Sequence, residues 1–211
     1  MKIILIGSNG RMGQEICKEA FIFGDEIVLK VDKNDVIKRV DADVIIDFST
    51  SQDREKYIEY SRQNKIPYCC FATGMSEKDK KLFQELSNIA KVLLCSNASL
   101  GMNLIFKIVD KMCKDLKNAD IVLTEYHHKN KKDTPSGTAK KLQNIINGNG
   151  KCVQIGAFRV GNEFGTHKIQ FFLDEEMIEI THKAYSRKVF ALGALSMVRE
   201  FLQSEEMYVV K

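Results

Sequence analysis

The run KIILIGSNGRMG at residues 2–13 constrains the fold of this chain more than any other stretch. Four consecutive apolar residues, Ile3 to Ile6, suit a strand buried on both faces, and Gly7 follows at once. Met12, Ile16 and Ala20 then recur at every fourth position, the spacing of one helix face. Gly7, Gly10 and Gly13 therefore lie between a strand and a helix. In that place a glycine turn lets backbone N–H groups approach a pyrophosphate at the helix N-terminus, and Gly13 allows helix and strand to pack closely. Ser8 stands where G-x-G-x-x-G would have a glycine, so the turn alone also fits a plain strand-to-helix connection. Asp32, at the end of the next strand pattern and about twenty residues beyond the turn, adds the acid that accepts hydrogen bonds from an adenine-ribose diol. The two features together point to a dinucleotide.

Strand patterns at Lys2 to Ile6, Ile27 to Val31, Val44 to Phe48, Pro67 to Phe71 and Val92 to Cys95 alternate with helical stripes. The clearest stripe is Leu82, Phe83, Leu86 and Ile89, behind an N-cap at Ser76. This order predicts a parallel sheet with helices on both faces, and a ligand at the carboxyl ends of the strands. After Asn103 the pattern changes to a long helix, then strands near 119–127, 152–158, 165–173 and 177–183, with one helix from Ala139 to Ile146. A last stripe through Phe190, Ala194 and Val198 returns to the first sheet. The expected fold is α/β: a Rossmann-like parallel-sheet domain (1–102 and 186–211), a smaller α+β domain for substrate and oligomerisation (103–185), and a cleft between them.

Charge and cysteine usage narrow the function. The net charge of +4, from 32 basic and 28 acidic residues spread along the chain, is a weak lure for nucleic acid but leaves small anions as partners. No apolar run reaches the roughly 18 residues that a membrane span requires. The six cysteines form no CxxC pair, and Cys69 and Cys70 are adjacent, which suits neither a disulfide framework nor a zinc site. A cytoplasmic protein is expected.

The segment TEYHHKNKKDTPSGTAKKL concentrates the remaining chemistry. It sets His127, His128, Lys129, Lys131 and Lys132 ahead of a turn, Ser136-Gly137-Thr138, that enters a helix. Free N–H groups and a positive dipole end at such a turn hold a carboxylate or phosphate. The same residues also fit a solvated basic loop with an ordinary helix cap. Adjacent histidines on a strand point to opposite faces, so metal binding by that pair is not expected.

These motifs carry a resemblance. GSNGRMG, DFS at 47–49, ATG at 72–74, SNASLGMN at 96–103, EYHHKNKKDTPSGTA at 125–139, RVGNEFGTH at 159–167 and THKAYSRKVFALGAL at 181–195 run in order along almost the whole chain. Together they resemble the 4-hydroxy-tetrahydrodipicolinate reductase (dihydrodipicolinate reductase) family, whose glycine loop commonly ends in G-R-M-G. The resemblance implies NADH- or NADPH-dependent reduction of a cyclic imine dicarboxylate, formed by loss of water, to tetrahydrodipicolinate in the lysine and diaminopimelate pathway. It implies His127 and Lys131 as proton donors, and His128, Ser136, Gly137 and Thr138 as substrate ligands. Cofactor contacts are implied for Gly7, Ser8, Asn9, Gly10, Arg11 and Met12 in the loop, and for Asp32 and Lys33 at the ribose. Further contacts are implied for Phe71, Ala72, Thr73, Ser96, Asn97, Ala98 and Arg187. A homotetramer is implied as well, and the residues supply a reason: Ile169, Phe171 and Leu173 lie on one face of a lobe too small to cover both faces of its sheet.

The chain departs from the family pattern in three ways. Phe71 replaces the first glycine of a G-T-T-G motif, Ala98 stands where an aromatic is common, and the connection after Asp32 is short. Asp32 favours a free 2'-hydroxyl whereas Lys33 suits a 2'-phosphate, so both cofactors are expected to work. Two other readings are another Rossmann reductase of an imine or semialdehyde, and a catalytically silent dinucleotide-binding sensor. The His-His-Lys and P-S-G-T segment opposes the first. Retention of His127, Lys131 and Arg187 opposes the second.

Overall fold

The computed structural model of the chain describes residues 1–50, 54–72 and 75–211. They divide into two compact units, Met1–Ala98 with Phe190–Lys211, and Ser99–Val189. In chain order the first unit contains β1 (Lys2–Ile6), α1 (Arg11–Ile22), β2 (Glu26–Val31), β3 (Val44–Asp47), α2 (Arg54–Asn64), β4 (Tyr68–Cys70), α3 (Glu77–Leu86) and β5 (Val92–Leu94). The second contains α4 (Leu100–Asp115), β6 (Asp120–His127), α5 (Gly137–Gly148), β7 (Val153–Arg159), β8 (Thr166–Phe172) and β9 (Met177–Lys183). The chain then returns to the first unit through α6 (Lys188–Gln203) and β10 (Tyr208–Val210).

The first sheet is parallel throughout, in the order β10-β5-β4-β3-β1-β2. Alternate residues of its strands feed two cores. Ile3, Leu5, Ile46, Cys69 and Leu93 meet α1 and α6, whereas Ile4, Ile6, Ile45, Cys70 and Leu94 meet α2 and α3. The adjacent cysteines are thus buried on opposite faces of one strand, as a period of two dictates. Lys91 ends the loop before β5 by donating to the last-turn carbonyls of Phe201 (3.0 Å) and Leu202 (3.2 Å) in α6. The strict alternation of strand and helix fails between β2 and β3, where residues 32–43 contain no helix. The edge strand β10 has too short a pattern to announce itself.

A buried ionic cluster braces this unit. Asp47, at the end of β3, accepts from Tyr68 Oη (2.9 Å) and lies 3.4 Å from Arg54 Nε, while Arg54 Nη1 reaches Asp79 Oδ2 at 3.0 Å. Asp79 closes a capping box with Ser76 at the start of α3. One cation therefore ties a strand end to two helices.

The second sheet is mixed, in the order β7-β6-β8-β9, with β6 parallel to β7 and antiparallel to β8. Ile121, Leu123, Ile169 and Phe171 pack against Met102, Val109, Leu142 and Ile146 of α4 and α5. This corrects the expectation that Ile169 and Phe171 form an exposed face: they are fully buried within their own unit. Phe158, Phe172 and Met177, of opposite parity, are exposed, as is Ile178, which pairs with Phe171. Helix α4 starts at Leu100, not after Asn103, because Ser99 Oγ accepts from Met102 N (3.2 Å) and caps it. No helix among the described residues is long and apolar enough to cross a membrane.

Candidate active site

In the first unit the turn after β1 is built almost entirely of backbone. A Cβ on Gly13 would lie 2.2 Å from the Gly7 carbonyl oxygen, so only glycine lets α1 seat against the turn. Gly10 is the N-cap of α1, which has no side-chain cap and no acid in its first turn; its first N–H groups and dipole suit an anion. Asp32 is locked to the turn. Its carboxylate accepts from Ser8 Oγ (2.5 Å) and from Asn9 N (3.1 Å to each oxygen). A carboxylate has about four acceptor sites, so this bracing leaves capacity for a ribose diol. Gly7, Gly10, Asp32, Lys33, Phe48, Ser49, Thr50 and Tyr57 line a cavity of about 210 Å³ at this point. A larger groove of about 740 Å³, between α2 and α3, is lined by charged residues such as Arg62 and Lys78 and lies away from the turn.

The other cofactor residues expected from sequence are distributed unevenly. Arg11 is exposed and Met12 half-buried at the start of α1. Phe71 does not project from the sheet: it is 5% exposed and stacks on Phe48 at 5.1 Å. Ala98 belongs to the same buried cluster, so the large residue and the small one share a core. Ala72 is buried, Ser96 exposed and Asn97 half-buried. Thr73 lies outside the described residues. Arg187 is in the second unit, its guanidinium 5.6 Å from the ring centre of Phe164.

The second unit gathers its polar residues at the end of β6 and the start of α5. His127 closes β6 on the helix-facing side and is buried, whereas His128 follows the strand, half-buried, and its carbonyl accepts from Lys131 N at 3.0 Å. The chain turns there. Lys131 Nζ meets Asp133 Oδ1 at 2.8 Å. Burial opposes charge on Asp133, but Lys131 and the Gly137 N–H hold its carboxyl below the usual range. Gly137 is exposed and Thr138 half-buried at the first turn of α5. Ser136 differs from expectation: it is buried, and its hydroxyl is used in capping Ala139 N (3.2 Å) and contacting His167 Nε2 (3.3 Å).

Three residues that sequence reasoning left without a role form the floor of this site. Glu125, fully buried, accepts from Ser136 N and from Arg159 Nη2, both at 2.9 Å. Its second oxygen is 3.4 Å from His127 Nδ1 and 3.5 Å from His167 Nε2. Burial would raise the Glu125 pKa, yet the His167 ring beside it and the donors of Ser136 and Arg159 hold it far below the ordinary carboxylate value. Burial lowers His127 to about 4, with His167 adding to the shift, so the ring is neutral at pH 7. A Cβ at Gly165 would come within 3.1 Å of His127 Nε2, and the bare glycine makes room for the ring. Glu125, His127 and His167 also place three donor atoms within 4.8 Å of one another, as a cation site would, but Arg159 already supplies the compensating charge. All three new residues lie inside the motifs at 125–139 and 159–167. The spacing of Glu125 and His127, two apart and so on one strand face, is the signal that would have found part of the cluster.

A parallel sheet with a glycine turn braced by an aspartate, in one chain with a His, Lys and helix-entry cluster, defines a Rossmann-type oxidoreductase. Comparison with known proteins narrows this class. Residues 21–98 match the family model for the N-terminus of dihydrodipicolinate reductase, and residues 101–211 match its C-terminus. The chain belongs to the dihydrodipicolinate reductase family. Relatives include the 4-hydroxy-tetrahydrodipicolinate reductases of Thermosipho africanus (36% identical, covering 97% of this chain and 93% of that one) and Archaeoglobus fulgidus (32% identical, covering 92% and 91%). Among solved structures, the dipicolinate-bound dihydrodipicolinate reductase of Paenisporosarcina sp. TG-14 shares the fold with a TM-score of 0.80 at 18% identity, over 100% of this chain and 97% of that one.

Proposed function

We propose that this chain reduces 4-hydroxy-tetrahydrodipicolinate, through its dehydrated cyclic imine, to tetrahydrodipicolinate in lysine and diaminopimelate biosynthesis. The first unit grips the dinucleotide through the turn Gly7 to Met12, with Asp32 and Lys33 at the ribose; a bound nicotinamide supplies the hydride. The second unit grips the substrate. One observation carries this assignment: the Lys131 ammonium already holds a carboxylate, that of Asp133, at 2.8 Å just ahead of the helix entry at Gly137. A turn that holds one carboxylate in this way suits the carboxylates of a cyclic dicarboxylate, with His128 and Thr138 as further donors.

Hydride arrival at a carbon conjugated to C=N leaves negative charge on the ring nitrogen, and a positioned acid lowers that barrier. His127, buried and neutral at pH 7, holds no second proton to give, so we assign the donation to Lys131. NADH and NADPH both serve in this reading. The decisive assay follows their oxidation on substrate generated in place by the preceding synthase. Failure to turn over either cofactor, with binding intact, supports the silent sensor instead.

We further propose a cytoplasmic homotetramer. Six cysteines that are all free favour a reducing compartment. Exposed Phe158, Phe172 and Met177 on the sheet face opposite α4 and α5 favour association. A monomeric mass by light scattering at micromolar concentration overturns the tetramer.

A further inference from the structure

We infer that Glu125 is the positioning residue of the substrate clamp, acting through the Ser136 N–H and the Arg159 guanidinium to fix the first turn of α5. The inference rests on the substrate reading above.

A helix start is normally held by its own cap, and α5 has one: Ser136 Oγ accepts from Ala139 N. That bond orients the helix internally, and the same hydroxyl contacts His167 Nε2 of β8 at 3.3 Å. Glu125 supplies the tie to β6. Its Oε1 takes the Ser136 N–H at 2.9 Å, the residue directly before Gly137, and the Arg159 guanidinium at the same distance. The three groups come from the N-cap of α5, from β6 and from β7, and all lie in the second unit. Register explains how they meet. On β6, Glu125 faces His167 of antiparallel β8, and His127 faces Arg159 of parallel β7.

The second oxygen has a different task. Glu125 Oε2, His127 Nδ1 and His167 Nδ1 have no hydrogen-bond partner among the described residues. Oε2 sits between the two imidazoles, which meet edge to face with centroids 5.2 Å apart. A fully buried carboxylate with an open oxygen is costly unless the surrounding groups are held in register. Here the register it enforces is that of His127 beneath the clamp and Ser136 at its base. Glu125 touches neither substrate nor cofactor in this account; it sets the geometry of residues that do.

Glu125→Gln retains the volume and one acceptor but gives up the charge that Arg159 pairs with. The test measures competitive inhibition by pyridine-2,6-dicarboxylate, the KM and kcat for substrate, and NADH affinity in the intact enzyme. The expected result is a rise of about 10-fold or more in KM and in the inhibitor constant, a smaller change in kcat, and unchanged NADH affinity. Asp47→Asn, which disturbs a buried carboxylate of the first unit, is expected to lower stability while leaving the inhibitor constant unchanged. If Glu125→Gln fails to fold, Arg159→Lys, which keeps the charge but loses the fork geometry, is read the same way. Unchanged inhibitor and substrate affinity in whichever variant folds overturns the positioning role, and equal losses of substrate and NADH affinity assign Glu125 to general stability. A parent enzyme that does not bind the dicarboxylate overturns the substrate reading itself.

Discussion

Each unit of the molecule buries a carboxylate with an arginine on it, and the two serve different ends. Asp47 and Arg54 are sealed in by Tyr68 and by the capping box of α3, so their bonds run between structural elements. Glu125, paired with Arg159, is bonded instead to Ser136 at the base of an exposed helix turn, three residues beyond Lys131's partner Asp133 on the path to Gly137. A buried ion pair is therefore not a functional mark by itself. What distinguishes the second is the exposed donors one bond further out.

The first way to break this comparison is to remove the cation of the sealed cluster. Arg54→Met strands Asp47 and Asp79, and is expected to cost about 3–5 kcal/mol in urea unfolding. Turnover per folded molecule should stay at the parent level; a selective loss of turnover would make the first cluster functional too.

Acidification acts on the second cluster. His127 is held at about 4 when folded and returns to its ordinary value of 6.5 when unfolded. Between these pH values the unfolded chain takes up a proton that the folded chain refuses, so stability falls as pH drops through the window. The contribution is on the order of 3 kcal/mol across the window, and His182, also lowered by burial, adds in the same direction. Denaturation at pH 7 and pH 4.5 should show the loss, and His127→Asn should show less of it. An equal loss in the variant would move the acid sensitivity elsewhere.

Lys131→Ala sharpens the contrast at the clamp. Removing the ammonium should lower kcat by about 100-fold or more and leave NADH affinity unchanged. Parent-level turnover in this variant would remove Lys131 from the chemistry.

The smallest effects belong to the ribose corner. Asp32→Ala should weaken NADH more than NADPH, and Lys33→Ala should do the reverse, each by roughly 5- to 10-fold for one or two lost hydrogen bonds. Titration of both cofactors on both variants reads the difference. Equal losses throughout would mean that the ribose lies elsewhere.

The sequence made one half of this site legible and concealed much of the other. Gly7, Gly10, Gly13 and Asp32 follow a local spacing that strand-turn-helix geometry imposes, so periodicity finds them. Gly137 and Thr138 are legible for the same reason, at a helix entry. Glu125, Arg159 and His167 sit on three strands whose pairing the sequence does not spell out, and only the register of β6 against β7 and β8 brings them together. Phe71 was legible as a departure but not as a core residue, since its stacking on Phe48 depends on how β3 and β4 end. Strand β10, three residues long, owes its existence to the open edge of β5.

The first unit is discontinuous in sequence, and that has a consequence for biosynthesis. Ala191, Ala194, Leu195, Val198 and Phe201 of α6 complete one of its cores, and β10 covers the edge of β5. As the chain leaves the ribosome, Met1–Ala98 emerges without either. Translation must first deliver Ser99–Val189, which at about 5–20 residues per second takes on the order of 5–20 s. Throughout that interval a nascent sheet exposes an apolar face and an unpaired strand edge, the two features that chaperones bind and aggregates grow from.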